Sequence, residues 1–406
     1  MFFALNSIFF TSVYIIQCLS FKYIKVKTKG QIEGENLLVP KLRFKEFKEE
    51  WKFKRLKEIS SDISYGMNSA STDFDGINKY IRITDIDENS SLYINDPVSP
   101  LDKLDDKFLV KGNDILFART GASTGKTYLY NKNDGKMYFA GFLIRANIKK
   151  QYNSKFIFAQ TKLRKYNNWI KIMSMRSGQP GINSVEYGSY IFSITDIEEQ
   201  EKIANFLSLL DKKIELQQRK IEALKIYKKG LLKKIFDDIK DNASIRLQDL
   251  YHFSYGEGNT NPDNGGIYPV YGANGKIGGF NTYNAEYSVI IGHMGAYAGN
   301  VLFEENKHFV TYNGTIALPK NIKILRPKFG YYMLLNTNLP KICAGSGMPF
   351  LSYETLNNIK VKLPDIKTQE KYEKLLDLTE TKVKLEGTKL QSLNKIKKSL
   401  LQQMFI

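Results

Sequence analysis

A repeat without gaps constrains this chain more than any other feature. Residues 177–236 align with residues 346–405 at a constant offset of 169, and 19 of the 60 pairs are identical. Ser177-Gly178-x-Pro180 answers Ser346-Gly347-x-Pro349. Asp196-Ile197-x-x-Gln200-Glu201-Lys202 answers Asp365-Ile366-x-x-Gln369-Glu370-Lys371. Lys228-Lys229-x-Leu231-Leu232 with Phe236 answers Lys397-Lys398-x-Leu400-Leu401 with Phe405. Such self-similarity marks a duplicated architectural unit. Upstream the repeat is weaker: the stretch from Asp114 to Gly125 answers that from Ser288 to Gly299, now at an offset of 174. Each half is therefore a diverged globular head followed by a well-kept segment. Similar scaffolds with diverged heads suggest two similar jobs on two different targets.

The kept segment has the periodicity of a long helix. Apolar residues step by four and three through Ile203, Leu207, Leu210, Ile214, Ile221, Leu224, Leu231 and Ile235, with polar breaks at Gln217 and Lys228. The second copy runs Tyr372, Leu376, Thr379, Val383, Leu390, Leu393, Leu400 and Met404, with breaks at the equivalent Glu386 and Lys397. That is the 3.5-residue seam of a coiled coil. Glu198, Glu199 and Glu201 crowd the first turn of the first copy and lysines its last turn, which suits the helix dipole. About 40 residues would make a rod of roughly 60 Å. Neither seam is expected to be satisfied by its own head, so the two helices are predicted to pair with each other, antiparallel. Leu207, Leu210, Ile214, Ile221, Leu224, Leu231, Leu376, Val383, Leu390, Leu393 and Leu400 are the expected pairing and docking positions.

The heads read as mixed α/β with many short strands. Tyr80 to Thr84, Ile115 to Ala118, Phe142 to Ala146, Val289 to Gly292 and Thr315 to Leu318 are apolar runs bounded by Gly, Asn and Asp. The expected fold class is thus α+β, with two globular heads, two long helices and an internal pseudo-two-fold repeat. Residues 1–36 form an atypical extension, 37–196 the first head, 197–240 the central helix, 241–364 the second head and 365–406 the last helix. Met1 to Phe21 is apolar, with no charged residue before Lys22. It admits a membrane or export segment, a buried element, or translation from a start placed too far upstream.

Charge and composition point to a partner. Lys plus Arg number 60 against 42 Asp plus Glu, a formal charge of +18. This favours a polyanion, nucleic acid before an anionic membrane. Cys18 and Cys343 are the two cysteines and there are three histidines, which excludes a disulfide scaffold and leaves a structural zinc site little room.

Several catalytic patterns fail on inspection. Gly121 to Thr127 resembles a phosphate-binding loop but has three residues, not four, between its glycines, and its counterpart Gly295 to Asn300 has no lysine. It reads instead as a glycine-rich turn that brings backbone close to a ligand. Pro364-Asp365 with Glu380-Thr381-Lys382 superficially fits a metal-dependent nuclease, yet Glu380 and Lys382 fall in the long helix, where a solvated face is expected. The Asn/Asp-Pro-Pro-aromatic tetrapeptide that methylates exocyclic amines is missing. The chain is expected to be non-catalytic by itself, with no metal.

Binding remains. The first head offers Tyr65, Asn68, Arg82, Arg119, Gly121, Ser123, Thr124, Lys126 and Arg145, with Arg164, Lys165 and Arg176 nearby. The second offers Tyr271, Asn274, Lys276, His293, Tyr297, Asn300 and Asn313, with Tyr312 and Arg326. Arg and Lys suit guanine edges and phosphates, Asn suits adenine, and Ser and Thr suit either.

Taken together these segments resemble the DNA-specificity (S) subunit of type I restriction-modification systems. The resemblance is carried by Val39 to Phe47 (VPKLRFKEF) with Trp51 and Arg55-Leu56, by Asp114 to Gly121 (DILFARTG), by Tyr268 to Gly278 (YPVYGANGKIG), by the two Ser-Gly-x-Pro motifs and by the two Asp-Ile-x-x-Gln-Glu-Lys helix starts. It covers about residues 37 to 406; Met1 to Asn36 departs from it, which favours the upstream start. It implies two target-recognition domains, each reading half of a bipartite, asymmetric site in double-stranded DNA, with the helices as a ruler between them. It further implies docking of two methyltransferase (M) and two restriction (R) subunits. S-adenosylmethionine, ATP and Mg would then sit on those partners and no cofactor on this chain. The location implied is cytoplasmic, without stable membrane association. The competing readings are a membrane-anchored coiled-coil adaptor and a stand-alone DNA-modifying enzyme.

Overall fold

The computed structural model describes residues 39–406 apart from 89, 176–178, 240–241, 259–262 and 346. The extension at Met1 to Asn36, Arg176, and Ser177, Gly178 and Ser346 of the two Ser-Gly-x-Pro motifs lie outside the described residues. The chain forms two compact units. Among the described residues, one comprises 39–216 with 389–406 and the other 217–388.

In the first unit, β1 (Ser60–Tyr65), β2 (Asp114–Ala118), β3 (Thr127–Leu129) and β4 (Leu143–Ile148) form an antiparallel sheet in the order β1-β4-β2-β3. All five residues of β2 are buried, as its central place requires. Short helices α1 (Ser154–Gln160), α2 (Arg164–Met173) and α3 (Ser184–Ser189) follow. The apolar run at Tyr80 is shorter than its composition suggests. The strand Lys79–Ile81 stops there, and Ile83–Asp85 is a 3-10 turn. Asp85 causes this by accepting from the Arg82 backbone N–H at 2.8 Å and from its guanidinium at 3.0 and 2.8 Å.

The long helix α4 spans Ile197–Asp238. In the second unit, β5 (Tyr251–Tyr255), β6 (Tyr268–Gly272), β7 (Gly275–Phe280), β8 (Ser288–Gly292), β9 (Val301–Glu304) and β10 (Gly314–Pro319) precede α5 (Pro327–Asn336), α6 (Tyr353–Asn358) and the second long helix α7 (Ile366–Gln403). The main sheet runs β5-β10-β8-β9, again antiparallel, so its topology equals that of the first sheet strand for strand. The strands β6 and β7 make a separate hairpin.

Within each unit the helices pair antiparallel. In the first, Leu210 and Ile214 of α4 pack on Leu393 of α7, with Leu390 and Leu400 beside them. In the second, Ile235 of α4 meets Leu376 of α7. The polar breaks in the seam are matched. Gln217 donates to the Glu386 carboxylate at 2.7 Å, and Lys228 pairs with Glu380 at 3.0 Å. Lys397 pairs with Asp211 in the first unit. Asp211 and Glu380 are equivalents in the repeat, as are Lys228 and Lys397, so each unit holds its own copy of one ion pair. Glu380 is therefore an interhelical partner rather than part of a solvated face, and it also accepts from the Tyr332 hydroxyl at 3.2 Å.

The heads do bury part of each seam, contrary to expectation. Ile203, Ala204 and Leu207 enter the first unit's core with Trp51, Phe156 and Tyr187, and Leu401 of α7 enters the same core with Met404 and Phe405 just beyond that helix's end. Ile235 and Leu376 pack on Tyr332 of the second head. The repeated glutamines explain why each helix begins where it does. Gln200 accepts from Asn153 N at 3.0 Å and donates to Thr195 O at 2.6 Å. Gln369 accepts from Arg326 N at 3.0 Å and donates to Ile324 O and Pro364 O at 2.8 and 2.9 Å. Each ties the helix start to its own head by satisfying backbone groups that would otherwise be orphaned.

One cation in the first unit is held against its preference. The Lys162 ammonium donates to Ser91 Oγ at 2.7 Å and Thr127 Oγ1 at 2.6 Å, with no carboxylate among these partners. Burial, and then repulsion from Lys397, bring its pKa from 10.5 down to about 7. The unfolded chain therefore holds the extra proton between about pH 7 and 10.5, so stability rises across that window and the full cost is present below it. Lys162→Met should stabilise the protein at pH 6 by roughly 1–2 kcal/mol and flatten the rise. Urea denaturation at pH 6 and pH 9 checks this; an unchanged pH slope would refute it.

Candidate nucleic-acid interface

Two loops occupy the same place in the two sheets. The first joins β2 to β3 across Arg119 to Lys126, and the second joins β8 to β9 across His293 to Asn300. Their backbone hydrogen bonds correspond one to one. Gly121 N donates to Pro180 O at 2.9 Å, and Gly295 N to Pro349 O at 2.8 Å. Gly125 N donates to Ala118 O at 2.9 Å, and Gly299 N to Gly292 O at 2.8 Å. Ile182 N reaches Arg119 O and Leu351 N reaches His293 O, both at 2.9 Å. Gly125 and Gly299 have φ of +93° and +78°. A Cβ at Gly125 would stand 2.7 Å from Ile170 of α2, and one at Gly299 2.5 Å from Pro340 N. Both the backbone angle and the packing thus demand glycine.

The aromatic floor is shared as well. The Arg119 guanidinium lies over the Tyr65 ring at 4.8 Å, while His293 stands 4.2 Å from the equivalent Tyr255. The Tyr65 hydroxyl accepts from Ser184 N at 3.0 Å. Arg119 also donates to Gly141 O at 3.3 Å, and His293 Nδ1 lies 3.0 Å from Leu351 O.

The side chains presented differ sharply. The first loop carries Arg119, Ser123, Thr124 and Lys126, with Gln179 beside Gly121. Asn68 and Tyr65 are exposed on the same sheet's β1 side. The second loop, with the β6–β7 hairpin, lines an open concavity of about 390 Å³ formed by Asn274, Ile277, Met294, Tyr297, Asn313 and Met348 among others. Sequence reasoning missed Gln179, Ile277, Met294 and Met348. The offset of 169 pairs Gln179 with Met348 and that of 174 pairs Thr120 with Met294, the signals that could have drawn attention to these positions.

Several other candidate residues are committed elsewhere, and the rest are exposed. Arg145 donates to Asp62 at 2.8 Å, Lys107 O at 2.9 Å and Ser64 Oγ at 3.1 Å. Arg82 belongs to the Asp85 turn, and Arg326 forms a bidentate pair with Glu373 at 2.9 and 2.8 Å. Asn300 donates to Ala273 O at 2.9 Å and so braces the concavity from behind. The Tyr271 hydroxyl donates to Glu304 at 2.6 Å; burial and that carboxylate raise its pKa above the ordinary range. Lys276 is exposed on the hairpin. Thr124 closes its own turn through Gly121 O at 2.7 Å. Lys165 faces Ser193 Oγ at 3.0 Å and Ile406 O, and burial lowers its pKa to about 8. Arg164 and Tyr312 are exposed. No group of three or more metal-ligating side chains occurs among the described residues. Among them, no helix is long and apolar enough to cross a membrane.

Comparisons with known proteins agree with one another. The profile described as type I restriction modification DNA specificity domain matches residues 48–225 and 240–395. The type I restriction enzyme MjaVIII specificity subunit of Methanocaldococcus jannaschii is 21% identical over 368 residues, covering 77% of this chain and 83% of that protein. Among solved structures, the type I restriction-modification S subunit from M. genitalium is similar with a TM-score of 0.62 at 21% identity, over 91% of this chain and 99% of that one. A chain from a structure on complex assembly and conformational transition of the type I R-M system gives a TM-score of 0.56 at 15% identity, over 87% and 97%. The two structural likenesses are of fold.

Proposed function

The chain belongs to the type I restriction modification DNA specificity family, and from that premise we propose that it reads a bipartite, asymmetric site in double-stranded DNA, one half through each head. Residues 37–196 and 241–364 are the two target-recognition domains, and the segments 197–240 and 365–406 carry the helices that set the gap between half-sites. The observation that carries this is the pair of loops: equal in backbone hydrogen bonding, unequal in the side chains they offer. A duplicated support for two different surfaces is what two different half-sites require. Phosphate contacts from the excess of lysine and arginine supply affinity, and base edges in the major groove supply specificity.

The chain acts as the non-catalytic member of a complex. Two methyltransferase subunits bring S-adenosylmethionine, and two restriction subunits bring ATP and Mg. Repeated apolar positions off the helix seam support two equivalent docking sites. Leu209 and Leu216 are 68% and 55% exposed in the first unit, and their equivalents Leu378 and Leu385 are 70% and 43% exposed in the second. Seven residues separate each pair, so both leucines lie on one helix face. Leu209→Lys with Leu216→Lys should reduce bound methyltransferase from two copies to one, and adding Leu378→Lys with Leu385→Lys should remove the second. Light scattering of the purified complex measures this, and two copies retained throughout would rule the ridge out.

The deciding experiment is co-expression with the cognate methyltransferase subunit and methylation-sensitive sequencing of host DNA. A bipartite methylated motif is the expected result. A complex that forms but methylates at random would refute the proposed function.

A further inference from the structure

The concavity of the second unit is chemically unlike its counterpart. Three positions in or beside the loop of the first unit are polar: Thr120 and Ser123 within it and Gln179 next to Gly121. At the equivalent positions the second unit has Met294, Tyr297 and Met348, all of which line the concavity. Ile277 of the β6–β7 hairpin adds a fourth apolar wall. None of the lining residues is charged, in a protein whose formal charge is +18. A phosphate or a guanine edge calls for Arg or Lys, and a cytosine amine for Asp or Glu. Neither is offered here.

Two amides complete the lining. Asn274 and Asn313 make no side-chain hydrogen bond to any described residue, whereas the neighbouring Asn300 and Asn284 are bonded internally at 2.9 Å. Water-facing amides beside an apolar wall match one base pair in the major groove. The thymine C5-methyl group is the apolar feature of that groove, and an adenine N6/N7 edge is the partner of an asparagine amide. The loop backbone is fixed by the bonds to Pro349 O and Gly292 O, so the pocket is preorganised rather than assembled on binding.

We propose that this concavity reads one A·T base pair, seating the thymine methyl against Met294, Met348 and Ile277 and presenting Asn274 and Asn313 to the adenine edge. The assignment rests on the DNA-reading role proposed above and adds which unit reads which chemistry. The equivalent surface of the first unit, with Arg119, Ser123, Lys126 and Gln179, has no such wall among these residues.

The test uses the full chain in complex with its methyltransferase subunit and duplexes carrying the methylated motif. Each thymine is replaced in turn by deoxyuridine, which removes only the methyl group. Asn274→Ala and Arg119→Gln identify which half-site belongs to which unit by the half that each relaxes. One thymine in the second unit's half-site should then lose about three- to fivefold in affinity as uracil. Met348→Ser, at a residue 67% exposed and so free of the core, should bring that thymine-to-uracil ratio close to one. Uracil tolerated at every thymine of that half-site overturns the assignment, as does a ratio that Met348→Ser leaves intact. A wild-type complex with no sequence preference overturns the DNA-specificity reading beneath it, an outcome separate from either of these.

Discussion

Removing one heptad from each long helix, residues 214–220 and the equivalent 383–389, should shorten the gap between the two proposed half-sites by up to about three base pairs and leave both half-sites unchanged. Seven residues of helix are about 10.5 Å, and stacked base pairs rise about 3.4 Å each. The two deleted segments face each other, since Gln217 donates to Glu386 at 2.7 Å. Their joint removal therefore takes out Glu386 together with Gln217 and Lys220, which both donate to it. The seam stays in phase because seven residues is its own period. Deleting five residues from each helix is the control: about 140° of rotation turns the seam away from its partner and should cost stability instead. The deletions also take Leu216 and Leu385 from the proposed docking ridge, so the gap is read without methylation, by selecting bound duplexes from a randomised pool with the purified chain, and an unchanged gap in a folded heptad-deleted protein would end the ruler interpretation.

Glu199→Ala should be among the most damaging single substitutions, costing about 3–5 kcal/mol. Its carboxylate is fully buried and accepts from Arg43 Nε at 2.7 Å and Nη2 at 2.8 Å, from Trp51 Nε1 at 3.2 Å and from the Thr195 hydroxyl. Removing it leaves the Arg43 guanidinium buried without its anion. For a unit of this size the loss corresponds to roughly 6–20 °C in Tm. Pairing Glu199→Leu with Arg43→Met should recover much of the loss, because replacing both members of a buried ion pair by apolar groups is often neutral. Thermal denaturation of the singles and the double settles the coupling; additive losses would show that Arg43 and Glu199 do not depend on each other.

That network shows where sequence reasoning stops. Glu199 looked like one of three first-turn acids suiting the helix dipole, and Arg43 was simply one letter of the stretch Val39 to Phe47. Their pairing spans 156 positions and leaves no periodic trace. The seam itself was legible, because 3.5-residue spacing is a local property, and so were its polar breaks at Gln217, Lys228, Glu386 and Lys397. What those breaks bind was not, since each partner lies on the other helix. The glycines of the two loops were visible in the sequence, but the bonds from Pro180 and Pro349 that close the loops come from 59 and 54 residues further on. Arg145 illustrates the opposite error. Its residue type suggests a phosphate or a guanine, while Asp62 and the Lys107 carbonyl hold its guanidinium inside the first head.

The first unit's core contains Leu401, Met404 and Phe405 beside Trp51 and Phe156, and Leu42 N donates to Gln403 O at 2.9 Å. On the ribosome this inverts the usual order of events. The first head emerges early but lacks part of its own interior until the last turns of α7 have been made. About 190 residues separate the end of the first segment from the end of the second, roughly 10 to 40 s of synthesis at ordinary elongation rates. The second unit, by contrast, is one uninterrupted stretch, residues 217–388. Throughout that interval the nascent first head must wait with Trp51 and Phe156 incompletely covered, a window in which a chaperone, rather than the chain's own sequence, would keep it from aggregating.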